Sequence, residues 1–220
     1  MSKFLAILLL SMILAGCSSI GTTQPDCDEM SALRIKISTV MTPEKFKMWV
    51  EETYHLPAEG VTLTPITQLP QLRASIVRWR QNGLWYSAGF EESMITNIGV
   101  TAKWLSSGDL IACLGEPIYY AATYGLTGEG MMELDFNLLF PNQGVIAGGA
   151  KFYPANTEQP PPITDDFPVN SLMFRQPGSA DDLLQRQFGL YPQETYIQIV
   201  KSYKPWSGDW DSIKIEPKIQ

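Results

Sequence analysis

Ser75-Ile76-Val77-Arg78-Trp79-Arg80-Gln81-Asn82-Gly83-Leu84-Trp85-Tyr86-Ser87-Ala88-Gly89-Phe90 is the stretch whose pattern decides the fold. Asn-Gly accepts positive φ at both central positions, so Asn82-Gly83 fits a two-residue type I′ turn between antiparallel strands. That turn pairs Gln81 with Leu84, Arg80 with Trp85, Trp79 with Tyr86, and Val77 with Ala88. Strand side chains alternate between faces. One face therefore carries Val77, Trp79, Tyr86, Ala88 and Phe90, and the other Arg78, Arg80 and Trp85. A third strand over about residues 95–103 is expected to continue the meander.

Helix signals flank this hairpin. Thr42-Pro43-Glu44 supplies a capping hydroxyl, a proline at the first position and an acid in the first turn. Phe46, Trp49, Val50 and Tyr54 then form one apolar stripe, and Pro57 ends the helix. A second, two-turn helix spans residues 107–114, with Gly115 as its cap and Pro117 as its stop. Ser179-Ala180-Asp181-Asp182 caps a third, which runs through Phe188 to Gly189. The segment from Asp109-Leu110-Ile111 to Gly115 echoes that from Asp182-Leu183-Leu184 to Gly189, each followed by a proline. The echo is compatible with an internal duplication.

Strands are expected at residues 33–37, 118–124, 145–153 and 195–203, and at Ile213 and Ile215. Another follows where Leu134, Phe136, Leu138 and Phe140 alternate with Asp135 and Asn137. Residues 56–72, with three prolines, read as a loop. The predicted fold class is α+β, with antiparallel sheets built from hairpins and two or three short helices packed on one face.

The chain has 220 residues and a mass of 24.6 kDa, enough for one ordinary domain or two small ones. It is 45% hydrophobic and 18% charged, which suits a packed core rather than a disordered chain. The net charge of −7 lacks the basic stripe of a nucleic-acid binder, and the lone histidine excludes a metal site needing two.

Residues 1–16 read as a signal peptide. Lys3 precedes an apolar run, residues 4–14, interrupted only by Ser11. Its roughly eleven residues are fewer than the roughly 20 a membrane-spanning helix needs. Leu14-Ala15-Gly16-Cys17 follows and matches a lipobox. Over its first twenty residues the chain resembles bacterial lipoproteins. The resemblance implies cleavage between Gly16 and Cys17, and a thioether-linked diacylglycerol on Cys17. It also implies an extracytoplasmic body held to the cell membrane by its acyl chains, each buried methylene contributing ~0.8 kcal/mol. Ser18, where an aspartate retains family members at the inner membrane, permits an outer-membrane address in a cell with two membranes. Loss of Lys3 on cleavage takes the charge from −7 to −8, so attachment to anionic lipid falls to the acyl group.

Residues 17–30 then read as an acylated tether and 31–153 as the main domain. Residues 154–168, with five prolines, read as a stiff connection, and 169–220 as a C-terminal helix-strand segment packed on the main domain. Leu114-Gly115-Glu116-Pro117, with the helix before it and the strands after it, resembles small envelope lipoproteins of the BamE/SmpA type. That resemblance implies a helix pair on a small sheet and carries over no functional residues.

No nucleophile elbow, S-x-x-K or H-E-x-x-H motif is present. His55, just past a helix end, reads as a helix C-terminal residue rather than a general base. The glycine-rich stretch 125–130 lacks a following Lys-Ser/Thr and reads as a hairpin loop. Acidic pairs occur at Glu91-Glu92, Asp165-Asp166 and Asp181-Asp182, with Asp209 and Asp211 flanking Trp210, but no calcium-loop spacing accompanies them. The chain is therefore expected to need no cofactor or metal and to be non-enzymatic. The alternative is a hydrolase using Asp209 and Asp211, which needs the two acids about 5–10 Å apart in a cleft.

Cys27 and Cys113 either pair, closing a loop of about 85 residues for ~3–4 kcal/mol, or stay free. Spacing alone does not bring their Cα atoms within ~7 Å, and the reading favours two free thiols. Arg80 opposite Trp85, with Trp206 and Trp210, forms the candidate binding surface for an envelope protein or a glycan, since Trp and Arg concentrate at contact hot spots.

Overall fold

The computed structural model describes residues 27–37, 39–67, 73–127, 130–157 and 159–218. The lipobox, with Gly16 and Cys17, and the tether up to residue 26 lie outside these described residues. The described elements run α1 (Cys27–Lys36), α2 (Pro43–Tyr54), β1 (Val61–Pro65), β2 (Ala74–Gln81), β3 (Leu84–Glu91) and β4 (Met94–Ser106). They continue with α3 (Ser107–Leu114), β5 (Tyr119–Leu126), β6 (Met131–Phe140), β7 (Val145–Pro154) and β8 (Pro168–Arg175). The chain closes with α4 (Ala180–Phe188), α5 (Gln193–Ser202), β9 (Lys204–Pro205) and β10 (Glu216–Pro217).

The hairpin forms with the register its turn dictates. Gln81 faces Leu84, Arg80 faces Trp85, Trp79 faces Tyr86 and Val77 faces Ala88. Asn82 and Gly83 take φ values of 49° and 80°. Trp79, Tyr86, Ala88 and Phe90 are buried, while Trp85 is 55% exposed. Phe46 of α2 wedges into this face, 5.8 Å from the Trp79 ring and 5.4 Å from that of Phe90, both edge-on. Each such ring pair contributes roughly 0.5–1.5 kcal/mol beyond its burial.

One sheet holds all ten strands in the order β1-β2-β3-β4-β8-β7-β6-β5-β10, with β9 also on β5. Every pairing is antiparallel except β5 with β10. The α+β class with an antiparallel sheet is thus present, but the helices do not share one face. Pleating sends Leu134, Phe136, Leu138, Val145, Ala147, Leu172 and Phe174 into the main core with α1, α2 and α3. The alternate positions Leu139, Ile146 and Met173 pack under α4 and α5 on the opposite face. The opposite face of β2–β3, carrying Arg78, Arg80 and Trp85, remains solvent-facing.

Several sequence expectations are corrected. Residues 33–37 are not a strand: α1 begins at Cys27, inside the expected tether, and buries Met30 and Leu33. Spacing of three places both side chains on one helical face, which five alternating residues could not exclude. The expected loop 56–72 contains edge strand β1, where Val61 and Leu63 pair with Trp79 and Val77. Residues 195–202 are helical and Tyr203 is the extended cap, because Pro192 opens α5 and Val200 turns toward the sheet. Ile213 and Ile215 pack on the main core but form no strand.

The proline-rich residues 154–168 are tied into the core. Ile163 and Phe167 are buried. The Ser107 amide and hydroxyl donate to the Phe167 carbonyl at 2.9 and 3.0 Å. The segment beyond does not merely pack on a finished domain: β8 is a central strand between β4 and β7. The two echoing helices carry matching capping boxes, Ser106 with Asp109 and Ser179 with Asp182. They lie on opposite faces, so the echo is one of capping chemistry and not a twofold repeat.

Candidate functional site

Chain reversal at Phe188 and Pro192 lays α5 beside α4, over one end of the sheet. After α5 the chain crosses the β5 edge as β9, packs the half-buried Trp206 and Trp210 on the other face, and returns as β10. This wrapping leaves a cleft of about 760 Å³ between α5 and the sheet. Its floor is Ala121, Thr123 and Asn137. Thr195, Gln198, Ile199 and Ser202 of α5 form the wall with Tyr203, and Phe188 closes one end. Lys204, Glu216, Pro217 and Lys218 border the mouth.

Lys204, Glu216 and Lys218 at the mouth are paired, while Lys201, which also lines the cleft, is exposed. Lys204 meets Glu216 at 3.1 Å. Lys218 meets Glu133 at 2.6 Å and also bonds Asp135. Burial pushes the Asp135 carboxyl above its ordinary range, against the pull of Lys218. Burial alone would lower the Lys218 ammonium, but its hydrogen bonds to Asp135 and Glu133 outweigh this and raise it. Burial also pushes the Tyr203 phenol well up, so it stays a neutral donor at physiological pH. Asn137 links the cleft to a shallower hollow of about 220 Å³ over Asp135, Gly148, Gly149 and Ser171. A Cβ on Gly148 would sit 2.6 Å from Asn137 Oδ1, so the glycine leaves that amide its room.

The expected binding residues do not form one surface. The Arg80 guanidinium lies 5.6 Å from the exposed Trp85 ring. Trp206 and Trp210 pack on the other face of the sheet, 5.0 Å from each other. Tyr120 lies 6.1 Å from Trp206, and Phe136 6.1 Å from Trp210. Those two tryptophans are half-buried and pack against the main core.

Asp209 and Asp211 sit on an exposed turn, where Asp209 Oδ1 accepts from the Asp211 amide at 3.0 Å. The carboxylate pair proposed for hydrolysis therefore caps a turn rather than facing a cleft. His55 is the left-handed cap of α2, with φ 52°. Among the described residues no group of three His, Cys, Asp or Glu side chains is placed to hold a metal.

Cys27 and Cys113 are joined in a disulfide with Cα atoms 5.4 Å apart, against the expectation of free thiols. Helix α1 accounts for this. The cysteine assigned to a tether instead opens a helix docked through Met30 and Leu33, beside α3, which carries Cys113.

Sequence reasoning missed the cleft. Its only signal was the polar alternation of β6, where Asp135 and Asn137 interrupt an apolar strand. Such residues ordinarily mark a solvent-facing side; here α5 overhangs that side. No protein-family model, curated protein or solved structure matches this chain.

Proposed function

We propose that this chain is a non-enzymatic, lipid-anchored binding module of the cell envelope, held outside the cytoplasm through acylated Cys17. The observation that carries this reading is the Cys27–Cys113 disulfide. Structural disulfides belong to oxidising compartments, and this one lies shortly after a lipobox that directs export. Ten residues separate Cys17 from Cys27, so the fold hangs within about 35 Å of the acylated residue. The solvent-facing Arg80–Trp85 pair offers an aromatic and a cation for contact with another envelope component.

Cys17→Ser tests the anchor. The variant is expected to incorporate no labelled palmitate and to leave the membrane fraction. Retention of the variant at the membrane by acylation overturns the reading. In-cell cross-linking tests the partner: an envelope protein captured through the β2–β3 face, and lost in Trp85→Ala, supports it.

A further inference from the structure

We infer that the cleft between α5 and the β5–β6 face is a binding site for a neutral, polyhydroxylated ligand, a mono- or disaccharide. Its volume of about 760 Å³ falls in the range of roughly 300–1,000 Å³ usual for small-molecule sites. Thr123, Asn137, Thr195 and Gln198 are among the uncharged polar side chains that line it. Among the described residues, none of these four makes a side-chain hydrogen bond within the protein. Two amides and two hydroxyls, each able to donate and accept, match a ligand whose hydroxyls do both.

Most of the charge at the cleft is already paired, which favours a neutral ligand. Lys204 is held by Glu216, and Lys218 by Glu133 and Asp135, while the third lysine, Lys201, is exposed at the rim. Between Lys204 and Lys218 an anion would meet three carboxylates and a cation two paired ammoniums. A sugar also has apolar C–H faces, and Phe188 and Tyr203 supply the ring surfaces for them. This inference rests on the binding part of the function proposed above and not on the lipid anchor. Failure of sugar binding beside a Cys17→Ser variant that still leaves the membrane removes this inference alone.

The test is calorimetric titration of the detergent-solubilised full chain with maltose, cellobiose and N,N′-diacetylchitobiose. At least one sugar is expected to bind with 1:1 stoichiometry. Asn137→Ala and Gln198→Ala are each expected to weaken it about tenfold or more, the loss of one well-placed hydrogen bond, with unchanged melting temperature. Met48→Ala, on the exposed side of α2 and away from the cleft, is expected to leave affinity unchanged. Absence of binding by all three sugars at millimolar concentration overturns the inference. So does binding that survives both cleft variants or disappears in Met48→Ala.

Discussion

Replacing Cys27 and Cys113 together by serine perturbs the fold at its most constrained point. The bridge spans a sequence separation of 86 residues. In the chain-entropy account, a loop of that length withholds about 4.5 kcal/mol of freedom from the unfolded chain at 25 °C. The local balance points the same way. Among the described side chains of α1, Met30 and Leu33 are fully buried, roughly 3–6 kcal/mol together. Ordering its ten residues costs about 1–2 kcal/mol each. Without the bridge, α1 is expected to undock while the sheet persists. Urea unfolding of the double variant is expected to show a midpoint about 1–1.5 M lower, taking an m-value near 3 kcal/mol/M. Amides in residues 27–36 are expected to lose hydrogen-exchange protection. A midpoint shift below about 0.3 M, with protection in α1 intact, refutes the reasoning.

Three further outcomes follow from the packing. Trp79→Ala empties the contact with Phe46 and Tyr86 and is expected to cost about 3–5 kcal/mol, whereas Trp85→Ala across the same hairpin costs under about 1 kcal/mol; paired denaturation curves compare them. Gly149→Ala places a Cβ 1.7 Å from the Pro168 carbonyl oxygen, so the start of β8 must move, and thermal melting is expected to register a loss of about 3 kcal/mol or more. The Ser179 hydroxyl and amide hold the Asp182 carboxyl below its ordinary 3.8; its contribution to stability is present above that value and lost as pH falls through the lowered one. Melting temperatures of wild type and Asp182→Asn are therefore expected to differ at pH 6 and converge toward pH 2, and a difference independent of pH contradicts the assignment.

Local chemistry that admits one backbone solution was legible in the sequence. Asn82-Gly83 has few alternatives to a tight hairpin, and the register followed from it through eight paired positions. Thr42-Pro43 and Ser179 to Asp182 marked two helix starts, because their side chains have specific amide partners. What was lost depended on distant partners. Thr195, Ile197, Ile199 and Val200 favour a strand by propensity, yet packing of Val200 and Phe188 on the cluster of Leu139, Ile146, Leu183 and Leu184 selects a helix. Strand β8 follows a proline-rich run and carries exposed Asn170 and Ser171, so nothing local marks it as central. The cleft gathers Thr123, Asn137 and Gln198 from three elements. Neutral side chains of this kind have no motif; only the overhang of α5 brings them together.

Intact-mass analysis of the chain purified from the membranes of its own cell, without reductant, tests the central claim most directly. The account predicts a polypeptide beginning at Cys17, heavier by a diacylglyceryl group and lighter by the two hydrogens of one disulfide. A mass beginning at Met1, an unmodified Cys17, or free thiols at Cys27 and Cys113 contradicts it.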